Sequence, residues 1–148
     1  MLLADLIGPL QLSIGPVILI SGIGLIILSL TNRLGRTVDR IRQLSVEYRN
    51  SSGADLVRIG SELTILTRRA KALRSSNFLA VVSVLLVSFI IIGLFGSALY
   101  NLNISYLLMA LFIASIVCLI LALFLFIYDI ELTLKALWIE LPDSLSRS

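Results

Sequence analysis

Arg33, Arg36 and Arg40 stand at steps of three and four residues, a spacing that puts three guanidinium groups on one face of a helix. Rigid forks of N–H donors suit phosphate and carboxylate oxygens, so the chemistry on offer is contact with anions. A second basic cluster, Arg68, Arg69, Lys71 and Arg74, offers the same chemistry. Two readings of these residues stay open. They can snorkel toward anionic lipid headgroups, each worth about 1 kcal/mol. Alternatively, Arg33, Arg36 and Arg40 can ring the cytoplasmic mouth of a pore built from several copies. Asp39 is close enough on a helix to pair with Arg36 or Arg42. Asp129 and Glu131 reach the same depth from the far end of the chain, where surface pairs with the arginines would stabilise little. Nucleic acid is not an expected partner, because the clusters adjoin apolar runs and no aromatic residues are interleaved with them.

Little else in the chain is reactive. It has no histidine, which removes histidine metal sites, imidazole acid–base catalysis and the serine–histidine triad. Its single cysteine, Cys118, cannot form an intrachain disulfide. Neither a glycine-rich phosphate loop nor an intramembrane carboxylate pair is present, and no nucleophile stands beside a base. No catalytic residue, metal site or cofactor is expected, and the chain does not read as an enzyme.

The elements that carry the arginines follow from where charge is missing. Residues 6–32 and 75–128 hold no charged side chain, runs of 27 and 54 residues. The 148-residue chain is 58% hydrophobic and 14% charged, with a mean hydropathy of +1.04; a soluble domain carries about 25% charge. A helix crossing the hydrocarbon core needs about 20 apolar residues. The first run gives a span over about 10–30. The second is too long for one span, and Tyr100-Asn101-Leu102-Asn103 supplies turn formers near its middle. It divides into spans over about 78–99 and 104–127. The first basic residue, Arg33, follows the first apolar run, so a retained span is expected rather than a cleaved signal peptide.

Residues 31–77 hold ten basic and four acidic side chains, a net charge of +6. The positive-inside rule puts this segment and the C-terminus in the cytoplasm and the N-terminus outside. Leu34, Val38, Ile41 and Tyr48 recur at helical spacing, with Ser45 filling the seam between them. Leu56, Ile59, Leu63, Leu66, Ala70 and Leu73 alternate steps of three and four, a coiled-coil seam. Ser51-Ser52-Gly53-Ala54 separates the two stretches, and Ser52 with Asp55 resembles a capping box. The expected fold is therefore an all-α integral membrane protein in one compact unit. Its three transmembrane helices are arranged so that spans one and two extend into a cytoplasmic antiparallel helical hairpin over about 31–77. After the third span, Leu134, Leu137, Trp138 and Leu141 before Pro142 make an amphipathic segment over about 130–141, which either lies at the interface with Trp138 at headgroup depth or continues the third span and docks on the hairpin.

Small residues mark candidate packing seams. Gly8, Gly15, Gly22 and Ser29 recur every seven residues in the first span, and Ala110, Ala114, Cys118 and Ala122 every four in the third. Gly93 and Gly96 offer a partner surface in the second. Such stripes let helix backbones approach closely in lipid, within one chain or between copies.

The stretch Ser29-Leu30-Thr31-Asn32-Arg33-Leu34-Gly35-Arg36-Thr37-Val38-Asp39-Arg40-Ile41-Arg42-Gln43-Leu44 resembles the signature of a bacterial membrane family catalogued as domain of unknown function 2721. The resemblance covers the chain from the first span to the third. It implies a small bacterial inner-membrane protein and no established activity, with Asn32, Arg33, Asp39, Arg40 and Arg42 matching the family motif. Taken together, the residues lead to a non-enzymatic three-span protein that self-associates into a homo-oligomer and contacts anionic lipid. A homo-oligomeric pore and an accessory subunit of a larger membrane complex are the other readings.

Overall fold

The computed structural model describes the backbone of residues 3–100 and 103–145, and side chains within 7–53, 55–100 and 103–132. The described residues form three helices and no strand: α1 (Leu3–Asn50), α2 (Ala54–Tyr100) and α3 (Ser105–Leu145). All three are long and apolar enough to cross a membrane. The helical backbone runs unbroken through residues 30–31 of α1 and 77–78 of α2, where apolar sequence gives way to basic. It also runs through 130–141 as part of α3. The side chains of the expected amphipathic segment there, Trp138 included, lie outside the described residues, as do Asn101 and Leu102 of the expected turn.

Local chemistry explains the ends. Gly53 has φ +75°, a left-handed conformation in which a side chain would be strained, and it allows the chain to leave α1 and enter α2 within three residues. Arg49 lies in the last turn of α1 and Asp55 in the first turn of α2, each complementing the helix dipole. Ser51 rather than Ser52 makes the hydrogen bond seen at this turn, its Oγ donating to the carbonyl of Glu47 at 2.8 Å.

Two compact units are distinguished, one formed by residues 1–29 and 77–122 and the other by 30–76 and 123–148. In the first unit Ala80, Ser83, Val87 and Ile90 are buried on α2 at alternating steps of three and four, with Ile23 on α1 and Ser115 and Ala122 on α3. Ser83 donates to the Ser115 carbonyl at 2.8 Å, a buried bond between helices. The outward positions carry large apolar side chains such as Leu25, Phe89 and Ile92, all more than half exposed. In water that surface would drive aggregation, while lipid accepts it.

In the second unit the α2 seam has the composition expected from the sequence. Ile59 and Leu73 are buried, and Leu56, Leu63, Leu66 and Ala70 are half-buried. The α1 seam differs by one residue at two places. Leu30, Thr37 and Leu44 are buried at seven-residue steps, while Val38 is 41% exposed. Thr37 takes the inward position because its hydroxyl donates to the Arg33 carbonyl at 3.0 Å, so no polar group is left unsatisfied by burial.

Candidate functional site

The second unit contains the most distinctive chemistry of the molecule. Asp129 of α3 has a fully buried side chain, with 0% exposure. Its Oδ2 lies 3.3 Å from Nη2 of Arg33 on α1, and its Oδ1 accepts a hydrogen bond from Nε of Arg69 on α2 at 3.2 Å. One carboxylate therefore joins all three helices. Phe126, one helical turn before Asp129, lies beneath the Arg33 guanidinium, whose Cζ is 5.1 Å from the ring centroid. A cation over an aromatic face is attracted by the ring quadrupole, and the ring restricts the plane in which the guanidinium can lie.

Periodicity places these groups. Asp129 continues the buried positions Ser115 and Ala122 at seven-residue steps along α3, so its side chain points inward rather than toward water. Arg33 comes three residues after buried Leu30 and shares its side of α1. Burial of an isolated carboxylate is prohibitively costly; two guanidinium partners offset the desolvation and leave the cluster with net positive charge. The sequence identifies Asp129 as a partner for the arginines but reads it as a surface group. Its heptad relation to Ser115 and Ala122 is the signal that corrects that reading.

The remaining basic residues differ from this pair. Arg40 donates to Glu62 Oε1 at 3.2 Å, with both side chains about half exposed. Arg36, Arg68, Lys71 and Arg74 are exposed, and Arg68 and Lys71 line a shallow groove with Leu63, Thr64 and Thr67. The three arginines on one face of α1 therefore part company, since Arg33 and Arg40 are engaged within the chain. Of the motif positions, Asn32, Asp39 and Arg42 are exposed, and Asp39 forms no ion pair among the described residues.

The small residues also divide. Gly8, Gly15, Gly22 and Ser29 are exposed, and a Cβ added at any of the three glycines would meet nothing within 4 Å. Gly93 is closely packed, since a Cβ there would sit 2.6 Å from Cδ2 of Leu108, whereas Gly96 faces open space. On α3, Ala122 is buried, Ala114 and Cys118 are half-buried and Ala110 is exposed.

Three apolar helices joined at a charged layer define the class, a multi-pass helical membrane protein. Within that class the chain belongs to the family described as protein of unknown function (DUF2721), whose model matches residues 13–139 and so includes Arg33, Arg69 and Asp129. No curated protein and no solved structure matches it.

Proposed function

We propose that this is a non-enzymatic scaffold of the bacterial inner membrane. Its N-terminus lies outside, and α1 and α2 extend into a basic, antiparallel cytoplasmic hairpin that serves for docking or structure. The observation that carries this reading is the buried Asp129 between Arg33 and Arg69. Removing three ionised groups from water to link three helices makes sense in a rigid stalk, and less so in a mobile loop. Antiparallel pairing is supported by the order of contacts. Arg40 meets Glu62, and seven residues earlier on α1 and seven later on α2, Arg33 and Arg69 share one carboxylate. Tyr48 lies near Gly60, on the turn side of both.

Self-association belongs to the same proposal and is supported by the outward small-residue stripe of α1, whose glycines Gly8, Gly15 and Gly22 face open space among the described residues. A pore ringed by all three α1 arginines is less favoured, because two of them are engaged in intrachain pairs. Mass measurement of the full chain in mild detergent tests the reading. A multimer that Gly15→Leu and Gly22→Leu reduce to monomer is expected, and a wild-type monomer at high concentration overturns self-association.

A further inference from the structure

We infer that Arg33 and Arg69 form a defined binding site for one phosphate-ester anion at the edge of the basic unit. Each guanidinium carries five N–H donors, and the contacts with Asp129 take up Nη2 of Arg33 and Nε of Arg69. Among the described residues, neither arginine makes a further hydrogen bond or ion pair. Both are mostly buried but still reach the surface, with side-chain exposures of 25% and 17%. Two guanidinium charges against one carboxylate leave an excess of +1 that an anion would balance.

The geometry is suitable for such a ligand. A carboxylate and a phosphate present oxygens at similar spacing, so guanidinium groups close enough to share one can share the other. Phe126 lies beneath Arg33, with Cζ 5.1 Å from the ring centroid, and so restrains the plane in which that guanidinium can lie. Arg33 and Asp129 each follow the end of an uncharged run, at Asn32 and Tyr128. On the membrane reading proposed above, that is headgroup depth. The shared chemistry is a phosphate bearing net negative charge, supplied by an anionic phospholipid or by free phosphate.

Binding to the detergent-purified full chain tests the site, with phosphatidylglycerol, phosphatidylcholine and inorganic phosphate as probes, read by native mass spectrometry and by melting temperature. About one phosphatidylglycerol per chain is expected, held at least about tenfold more tightly than phosphatidylcholine. Arg69→Gln leaves one guanidinium per carboxylate and is expected to abolish that preference. Asp129→Asn leaves two uncompensated guanidinium groups and is expected to increase both affinity and the melting shift produced by the anion. Arg68→Gln, on the exposed cluster, is expected to preserve the preference.

Saturable binding of inorganic phosphate with the same pattern of variants, and no lipid preference, would support the site and assign it to the free ion. Equal retention of the two lipids by wild type without a phosphate effect overturns the site, and needs no variant to fold. A shift of Arg69→Gln and Asp129→Asn in the same direction overturns it too. A chain that stays monodisperse without detergent would sink the membrane reading alone, and the phosphate measurement would still judge the site.

Discussion

Asp129 and Glu62 are both carboxylates paired with arginine, but their surroundings give them different energetic weight. Asp129 is fully buried and holds two guanidinium groups, whereas Glu62 is 42% exposed and holds one. Removing one partner from a buried ionic cluster leaves uncompensated charge and costs about 3–5 kcal/mol. An exposed pair contributes about 0.2–1 kcal/mol, because water screens it and two long side chains must be ordered. Asp129→Ala is therefore expected to lower unfolding stability in detergent by several times more than Glu62→Ala. Similar losses for the two variants would contradict the buried layer. Ser83 belongs to the same scale. Its bond to the Ser115 carbonyl is buried, and interhelical bonds of this kind average about 0.6 kcal/mol in membranes, so Ser83→Ala is expected to be mild. The arginine clusters are legible directly in the sequence, since charge beside a long uncharged run is conspicuous. The inward direction of Asp129 is far less so, because it depends on the rotational phase of α3, which a mostly apolar stretch marks only through the seven-residue spacing of Ser115, Ala122 and Asp129.

Rotational phase is also what hydrophobic periodicity encodes least clearly at the scale of the elements. The α2 seam from Leu56 to Leu73 is legible because its inward residues are apolar and their neighbours are not. On α1 the pattern favours Val38 over Thr37, since hydrophobicity cannot show that a threonine hydroxyl will satisfy itself on the preceding turn. The seven-residue glycine spacing in the first span shows that backbones could approach there, but leaves open what approaches. Gly93 and Gly53 make the contrast testable. At Gly93 a new Cβ meets the terminal methyl of Leu108, which can move. Gly93→Ala is thus expected to be tolerated, while Gly93→Leu overpacks the contact and costs about 1–3 kcal/mol. Gly53→Ala meets no atom within 4 Å but forces a side chain into a left-handed backbone at φ +75°. A loss of about 1–2 kcal/mol is expected from conformation alone. Thermal unfolding of the three variants separates packing from backbone strain. An unperturbed Gly53→Ala would show that the turn can relax to another path.

At the scale of the molecule, the division of charge should decide orientation. The ten basic and four acidic residues of 31–77 lie between the first two spans, while the connection between α2 and α3, near Asn103, has no charge. Translocation of basic segments is disfavoured, so the segment with net charge +6 should stay in the cytoplasm and hold the rest of the chain in register. The buried layer adds a second constraint. Arg33, Arg69 and Asp129 meet, so the end of α3 that carries Asp129 must lie on the side occupied by the basic segment. An alkaline phosphatase domain, which is active only outside the cytoplasm, is expected to be active when inserted at Asn103 and inactive when fused after Ser148. Neutralising Arg68, Arg69, Lys71 and Arg74 together should weaken the bias and produce a mixed population, because these four contribute more than half of the net charge of +6. A phosphatase active after Ser148 in the wild-type chain would place the basic segment outside. The cytoplasmic stalk would then be untenable, although the contacts of Asp129 within the fold would still stand.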